Sequence, residues 1–335
     1  MVRTLCAGCL LTLLAVAVNA QSKTGTTIGQ FTLVEPSART AAMGGAGVTA
    51  SAEVFSGFYN PGALAALDHS DIQFSHEMWF ADISLIHAGA SFSIDGFGTV
   101  AAFVTNLNSG DINVTTVQQP LGTGERYSVN DLLVGIGYAM RLTDRFTLGL
   151  QVNYVTERIL HSSIAVFGVN IGTLYELSPG GLRIGASLSN FGSKGKYEGT
   201  DLYIRYDMDP DRYGDNSSVP GEIKTDEFAM PIVFRIGLGY PLKIDESNGL
   251  EFALEAQHPS DNSECVNLGA EWTFRRVVAL RVGYNSLFQT DSEYGLTAGA
   301  GLMWDGLGYL VRFDYAWTVH ERLGSLHHLT LGFGF

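Results

Sequence analysis

The sequence predicts an all-β fold: a 14-stranded antiparallel transmembrane β-barrel that packs a compact N-terminal segment inside it. Three observations predict this fold. Segments of about ten residues alternate apolar with small or polar side chains, as tilted membrane strands do. Short and long connections alternate along the chain. The last ten residues also alternate, and the chain ends on the aromatic Phe335.

The composition agrees with a membrane barrel. The chain has 335 residues, enough for two domains or one large barrel, with 40 Gly, 9 Pro and only 16% charged residues. After residue 20 no apolar run reaches about 18 residues, so membrane helices are not expected. Gly-rich and aromatic-rich alternating sequence is typical of a membrane barrel. The formal net charge of −14 argues against nucleic acid as a partner.

The first residues predict export. Residues 1–20 have a positive start, an apolar stretch and small residues up to Ala20, which together indicate a cleaved secretory signal peptide. Cleavage removes Cys6 and Cys9 and leaves Cys265 alone. An exported chain with one cysteine forms no internal disulfide, so the fold must be held by packing or by closure of the sheet.

Residues 21–68 form a separate segment without regular alternation. Small residues and glycines dominate it, while Phe31, Phe55 and Tyr59 need burial. We therefore expect a compact segment packed inside something larger, with a turn or helix start at Asn60. A flexible exported leader is the alternative.

Residues 69–335 contain 14 segments with the period of a strand. Most reach about ten residues, which is the length that a tilted strand needs to cross a membrane. The predicted strands are 70–79, 82–93, 96–107, 127–140, 145–157, 164–177, 181–191, 230–242, 249–257, 265–274, 277–287, 294–304, 307–318 and 326–335.

The connections sort by length. Tight turns near residues 95, 144, 179, 246, 275 and 305 alternate with connections that are mostly longer, the longest being 108–126 and 192–229. Membrane barrels have short periplasmic turns and longer outer loops. With both chain ends on the periplasmic side, the strand number must be even, and 14 satisfies this requirement.

Charged side chains fall on one face of the strands. A charge facing lipid near mid-membrane costs about 2–4 kcal/mol, so these side chains are expected to face the lumen, where both signs can pair. In a soluble sandwich the same side chains would face water, so the alternation alone does not separate the two folds. The predicted lumen-facing charges are Arg235, Glu251, Glu255, Glu271, Arg281, Arg312 and Asp314.

The last predicted strand alternates in the same way as the charge-bearing strands, with its apolar side chains on the outward-facing side. Leu329, Leu331, Phe333 and Phe335 alternate with small or polar residues. A C-terminal strand ending in Phe resembles the assembly signal of bacterial outer-membrane barrels, and Phe335 is the candidate signal residue. A buried strand of a secreted sandwich is the alternative.

Two patterns allow a binding interpretation, but a simpler one is favoured for each. Residues 44–47 are Gly-rich, yet no strand precedes them, so close packing is favoured over a nucleotide loop. Asp207, Asp209, Asp211 and Asp215 could hold Ca²⁺, but Arg212 stands where the EF-hand template requires Gly. A solvated acidic outer loop is therefore favoured.

Catalysis is not indicated. His320, His327 and His328 lie near Asp314, but His327 and His328 point to opposite faces and no serine is singled out. His258 and Cys265 offer at most two metal ligands, too few for zinc. The prediction is a protein with no catalytic residue, no metal and no cofactor.

Two stretches resemble the PorV/PorQ family of outer-membrane proteins, relatives of the FadL-type barrels. Residues 35–48 carry Arg39 and the run Met43, Gly44, Gly45, and residues 59–65 carry Asn60 and Pro61. Asn-Pro-Gly is close to the Asn-Pro-Ala motif of the FadL-type N-terminal hatch. Further similar residues lie at 259–262, 266–271, 279–284 and 323–327.

The resemblance implies a 14-stranded barrel in which residues 21–68 act as a plug or hatch, with Arg39, Met43, Gly44, Gly45, Asn60 and Pro61 as its motif. It implies the outer membrane of a Gram-negative-type bacterium, contact with outer-membrane lipid and insertion by the barrel assembly machinery. For founding members it implies a role in type IX secretion, with secreted proteins bearing C-terminal signal domains or translocon subunits as partners.

Two other functions stay open. One is a FadL-like channel for hydrophobic small molecules, which the mixed-charge wall disfavours although a hatch could supply its own apolar pocket. The other is a structural or diffusion porin without a specific ligand. Co-purification of secreted proteins would favour export, whereas bound fatty acid would favour transport.

Overall fold

The computed structural model describes residues 24–209, 211, 218–289 and 292–335. The predicted signal peptide over residues 1–20 lies outside this part of the chain, as do Arg212 and Asp215 of the predicted acidic loop. Within the described residues, one large sheet surrounds the N-terminal segment.

Fourteen long strands build the large sheet. They are β1 Asp71–Met78, β2 Ser84–Ile94, β3 Gly98–Asn108, β4 Val129–Thr143, β5 Phe146–Ile159, β6 Ser162–Glu176, β7 Arg183–Gly192, β8 Val233–Lys243, β9 Asn248–Pro259, β10 Cys265–Phe274, β11 Val278–Leu287, β12 Tyr294–Gly306, β13 Tyr309–His320 and β14 Gly324–Gly334. Each corresponds to one predicted strand, with bounds that differ by a few residues.

The sheet closes on itself. Consecutive strands pair antiparallel in chain order, and the ring is completed where β1 pairs with β14, from Asp71 opposite Gly334 to Met78 opposite His327. Strand β7 pairs with β6 on one side. On its other side it pairs with β8, although the longest connection separates these two strands in the chain. The predicted fold, an antiparallel β-barrel of 14 strands, is confirmed.

Strand β8 begins three residues later than predicted. The alternation suggests a start at residue 230, whereas β8 begins at Val233. Pro231 has no N–H to give to a neighbouring strand, so the ladder starts only beyond it. The Pro231 carbonyl instead accepts a hydrogen bond from Asn190 Nδ2, at 3.1 Å.

The two faces of the wall have opposite chemistry. On β14, Leu329, Leu331 and Phe333 are exposed on the outside, while His328 and Thr330 are buried inside. The same alternation runs through the other strands, so large apolar side chains form the outer surface. This is the arrangement that a lipid environment requires.

The two ends of the barrel differ. Short turns connect β2 to β3, β4 to β5, β6 to β7, β8 to β9, β10 to β11 and β12 to β13 at one end, where β1 begins and β14 ends. The longer connections, including 109–128 and 193–232, lie at the other end, which we call the loop end.

The loops contain short ladders that the alternation did not predict. Ile112–Asn113 pairs with Arg126–Tyr127, and Tyr203–Tyr206 pairs with Val219–Glu222 in a separate two-stranded ribbon. Glu198–Gly199 adds to the beginning of β6. Strands of two to four residues are too short to show a period, so these pairings could not be read from the sequence.

The N-terminal segment folds into short helices: 3₁₀ turns at Gln30–Leu33 and Pro61–Ala66, and α-helices α1 Ala38–Ala42 and α2 Ser56–Tyr59. The Ser37 side chain caps α1 by accepting a hydrogen bond from the backbone N–H of Thr40. In the described part of the chain, none of the helices has the length and apolarity needed to span a membrane.

Candidate functional site

The N-terminal segment reaches opposite walls of the barrel. On one side, Ala38 N–H donates to Thr330 Oγ1 on β14 at 3.0 Å, and Thr297 Oγ1 on β12 donates to the Ala42 carbonyl at 2.9 Å. On the other side, Thr147 Oγ1 on β5 donates to the Gly62 carbonyl at 2.7 Å. The segment therefore occupies the interior of the barrel.

Asn60 joins three parts of the interior. Its Oδ1 accepts a hydrogen bond from Gly62 N–H at 3.0 Å and so caps the 3₁₀ turn that begins at Pro61. Its Nδ2 donates to the carbonyls of Val48 and Thr173, each at 2.8 Å. Asn60 is fully buried, and these contacts fix the second half of the segment against β6.

Gly44 and Met43 lie against the backbone of the wall. Gly44 has φ +69°, and a Cβ at this position would lie 2.6 Å from the carbonyl oxygens of Leu268 and Tyr284. On the wall itself, a Cβ at Gly269 would lie 2.6 Å from Met43 Cβ. The backbone of the Met-Gly-Gly run thus contacts the backbone of β10 and β11 directly. Such a close approach requires small residues both in the segment and on the wall.

Arg39 projects from α1 into a group of wall carboxylates. Its Nε and Nη2 donate to the two oxygens of Glu271, both at 2.9 Å, and Nη2 also contacts Glu251 at 3.0 Å. Glu271 is only 5% exposed. A bidentate contact of this kind fixes direction as well as charge.

Arg281 extends the group around the wall. Its Nε donates to Glu271 at 2.5 Å and its Nη1 donates to Asp314 at 2.6 Å, so it bridges β10 and β13 across the lumen side of β11 and β12. All three side chains are buried. Opposite charges are therefore paired along this part of the wall.

The remaining predicted charges pair with other partners. Arg235 Nε lies 3.6 Å from Glu255, whose other oxygen accepts from Val48 N–H at 2.6 Å. Arg312 Nη2 donates to Asp71 at 2.5 Å and its Nη1 donates to the Ala52 carbonyl. The wall charges thus contact the N-terminal segment as well as each other.

Sequence reasoning missed several members of this network. Arg183 donates to Glu251 and, at 2.7 Å, to Ser51 Oγ. Glu53 is buried and accepts from Gln73 Nε2 at 2.7 Å, and Asp71 Oδ2 accepts from Val54 N–H at 2.8 Å. On β1 the polar Asp71 and Gln73 alternate with the apolar Ile72, so the alternation in the sequence could have predicted that both polar side chains face the lumen.

The other candidate residues are not brought together. Phe335 is 44% exposed on the outer surface, and its N–H and carbonyl pair with Ser70. His327 is exposed on the outside while His328 is buried inside. Among the described residues, no group of three or more His, Cys, Asp or Glu side chains is arranged to hold a metal ion.

A pocket lies between the N-terminal segment and the wall at the loop end. Its volume is about 310 Å³, and its lining includes Leu33, Glu35, Trp79, Arg235 and His320. The elements that reach it include the 3₁₀ turn Gln30–Leu33, helix α1 through Ala41, the connection after β1 through Trp79, and the loop-end portions of β8 to β14. We call this the outer pocket.

Glu35 lines the outer pocket and lies outside the spanning strands. Burial raises the pKa of Glu35 to about 7, and the hydrogen bond that Tyr59 Oη donates to its carboxylate opposes this shift. A carboxyl group with this pKa changes its charge near neutral pH. No pattern in the sequence singled it out.

The fold and the filled interior define a class: an antiparallel membrane β-barrel whose lumen holds its own N-terminal segment. Within that class the chain belongs to the PorV family, described as type IX secretion system protein PorV, which matches residues 17–204. The match covers more than half of the chain, and together with the fold it assigns the protein to the outer membrane. No curated protein matches the chain.

Solved structures share this fold at low sequence identity. The toluene transporter TodX of Pseudomonas putida has a TM-score of 0.59 at 15% identity, covering 90% of this chain and 98% of that chain. The CymD monoaromatic hydrocarbon channel has a TM-score of 0.58 at 13% identity, covering 90% and 97%. A Pseudomonas aeruginosa FadL homologue has a TM-score of 0.50 at 10% identity, covering 88% and 96%.

Proposed function

We propose that this barrel is an accessory of protein secretion of the type IX kind, which binds secreted cargo or translocon subunits instead of conducting solutes. The observation that carries the proposal is the fixation of the N-terminal segment on opposite walls, at Thr330 and at Thr147. A continuous conduit would require these hydrogen bonds and the Arg39 ion pairs to break together. Membership of the PorV family supports the same function.

In this proposal, residues 21–68 are the plug, and the motif residues Arg39, Met43, Gly44, Gly45, Asn60 and Pro61 hold it in the barrel. Arg39 supplies the charged contact and Asn60 the hydrogen bonds. The glycines allow close approach to the wall. The wall charges serve as the receiving surface, because six of the seven are buried and paired with a charge of opposite sign.

The loop end faces the outside and offers a docking surface, whereas the short turns face the periplasm. The ribbon formed by Tyr203–Tyr206 and Val219–Glu222 exposes large side chains, with Tyr203 64% exposed and Tyr206 58% exposed. Exposed aromatic side chains are frequent anchors of protein interfaces. Phe335 is the candidate residue for recognition by the barrel assembly machinery, and residues 1–20 are the candidate export signal.

Crosslinking in cells tests the proposal. A photoreactive amino acid is placed at Tyr203, and the matched control carries it at Leu296, on the outer face of β12. The expected result is capture of secreted proteins bearing C-terminal signal domains, or of translocon subunits, from position 203 only. Deletion of the barrel is expected to block release of the same secreted proteins, and unchanged secretion would contradict the proposal.

A channel for hydrophobic small molecules is the second candidate. The apolar part of the outer pocket, which includes Leu33, Val34 and Trp79, favours it. The test is mass spectrometry of the barrel purified without added lipid, together with uptake of a labelled fatty acid. Stoichiometric bound fatty acid and loss of uptake on deletion, with secretion unchanged, would support the channel and overturn the secretion role.

A further inference from the structure

The outer pocket is lined mainly by uncharged polar and apolar groups. Six carboxamide side chains contribute to it: Gln30, Gln257, Asn262, Asn267, Asn285 and Gln289. A carboxamide presents one acceptor and two donor hydrogens, so it can pair with both the N–H and the carbonyl of a peptide group. This concentration of amides distinguishes the outer pocket from the ion-paired interior below it.

The charged groups at the outer pocket are engaged within the protein. Arg235 lies 3.6 Å from Glu255 and donates to Ser189 Oγ at 3.1 Å. Asp261 accepts hydrogen bonds from Thr27 Oγ1 and Gln30 Nε2, both at 2.6 Å. An ionic ligand would have to compete with these contacts, so the pocket favours a neutral ligand.

Two of the amides are oriented with their nitrogens unused. Asn267 Oδ1 accepts from Ser286 N–H at 2.9 Å, and Asn285 Oδ1 accepts from Ser286 Oγ at 2.7 Å. Within the part of the chain that the structure describes, neither Nδ2 donates a hydrogen bond. A Cβ added to Gly45 would lie 2.7 Å from Glu35 Oε1, 3.1 Å from Asn285 Nδ2 and 3.3 Å from Asn267 Nδ2, so the two donors converge beside the Glu35 carboxyl group.

His320 gives an independent indication of a ligand. His320 is 4% exposed, and although the Thr318 backbone lies close to the ring, neither ring nitrogen makes a well-aligned hydrogen bond with a described residue. A buried polar group without a hydrogen-bond partner destabilises the fold, and a bound ligand with polar groups would remove that cost. The ring is held between Phe80 and Tyr294, with centroids at 5.2 Å and 4.9 Å.

The outer pocket also has an apolar side, formed by Leu33, Val34, Trp79, Val319 and Leu326. Its volume of about 310 Å³ lies at the low end of ligand pockets, which span about 300–1,000 Å³. It can hold a few residues of an extended chain but not a folded domain. A pure hydrocarbon would leave the amide nitrogens and His320 unpaired.

We propose that the outer pocket binds a short, extended segment of a partner polypeptide. The pocket recognises the uncharged backbone amides of that segment and holds one of its apolar side chains against Trp79. The inference rests on the proposed secretion function and deepens it by naming what the barrel recognises. Asn267 and Asn285 donate to a peptide carbonyl of the bound segment, and His320 pairs with a neighbouring polar group. Binding is sequence-tolerant because the backbone is common to all polypeptides.

The binding test uses the complete mature barrel in detergent, labelled with 5-fluorotryptophan. The chain has four tryptophans, of which Trp79 lines the outer pocket, so its ¹⁹F signal, assigned with Trp79→Phe, reports occupancy. The probes are uncharged hexapeptides, capped at both ends and each with one leucine, and sodium dodecanoate. The expected result is a saturable shift of the Trp79 signal with peptide, with dodecanoate giving no saturable shift.

Asn285→Leu is the variant, and Asn106→Leu is its matched control. Asn106 lies at the loop end of β3, where it donates to Asn130 at 3.1 Å, and it does not line the pocket. Asn285→Leu is expected to weaken peptide binding about tenfold, as loss of one hydrogen bond predicts, while Asn106→Leu leaves it unchanged. Saturation by dodecanoate with no response to peptide would overturn the inference, and so would equal binding to both variants.

A secretion assay distinguishes failure of the pocket inference from failure of the proposed function. If deletion of the barrel blocks secretion but Asn285→Leu secretes and binds peptide like the native protein, the pocket inference fails and the secretion role stands. If deletion leaves secretion unchanged, the proposed function fails, and peptide binding in vitro then reports only on the pocket. Impaired secretion by Asn285→Leu, with normal insertion judged by heat-modifiable migration, supports both.

Discussion

The Arg39 guanidinium donates two hydrogen bonds to the Glu271 carboxylate, each 2.9 Å long, and so joins the N-terminal segment to strand β10. Replacing Arg39 by Met removes one cation from beside the buried Glu271 and the partly buried Glu251. We expect a loss of about 3 kcal/mol in the free energy of unfolding, the scale measured for breaking buried ion pairs. Denaturant unfolding of the barrel in detergent measures it.

Arg126→Met is the matched control for Arg39→Met. Arg126 also contacts a carboxylate, Asp111 at 3.4 Å, but both side chains are more than half exposed. Exposed pairs contribute about 0–1 kcal/mol, so this variant should unfold almost as the native protein does. Equal stability of the two variants would contradict the assignment of Arg39 as an anchor of the segment.

The close approach of the segment to β5 gives a second prediction. A Cβ on Gly149 would lie 2.2 Å from the carbonyl carbon of Pro61, so Gly149→Ala must displace the 3₁₀ turn. We expect a destabilisation of about 1–3 kcal/mol, as for overpacked cores. In Gly295→Ala the new methyl group meets nothing within 4 Å, so this control should leave the unfolding midpoint in detergent unchanged.

The barrel itself was predictable because strand periodicity is local. The outward position of the Leu254 side chain and the inward position of the Glu255 side chain follow from the period of two and from the cost of a charge in lipid. Turn residues such as Asp144 marked the short connections without any long-range information. These features need only neighbouring residues, so the strand number and the orientation of the wall charges could be predicted.

The pairing of the charges was not predictable. Arg281 meets Asp314 two strands away, a contact that depends on the register of the barrel. Arg39 meets Glu271 from inside the barrel, a contact that depends on the path of a segment without periodicity. The same holds for Glu53, whose burial comes from its contacts with Ser37 and Gln73. A pattern along one strand contains no information about these partners.

Glu35 predicts a pH dependence of stability. Burial raises its pKa from 4.5 to about 7, so the folded protein binds this proton more tightly than the unfolded chain does. The stabilising contribution is complete below about pH 4.5 and is lost as the pH rises through about 7. We expect the contribution of Glu35 to the unfolding free energy to fall between about pH 4.5 and pH 7 and to stay constant at higher pH.

Glu35→Gln isolates this contribution, because glutamine keeps an acceptor for the Tyr59 hydroxyl but does not titrate. The measurement is the difference in unfolding free energy between native protein and variant across the pH range. That difference should change steadily between about pH 4.5 and pH 7 and stay constant above that range. A constant difference would show that Glu35 titrates alike in the folded and unfolded chain.

Lipid exposure of the wall gives the last prediction. Leu254 lies at the middle of β9 and is 43% exposed on the outer face, so Leu254→Arg places a charge near mid-membrane. Such a change costs about 2–4 kcal/mol at the midplane and about 0–1 kcal/mol near the interfaces. Leu242→Arg, at the turn end of β8, is the control with similar exposure, 40%. Refolding into lipid vesicles, followed by heat-modifiable migration, should be impaired for Leu254→Arg only, whereas a soluble sandwich would tolerate both changes.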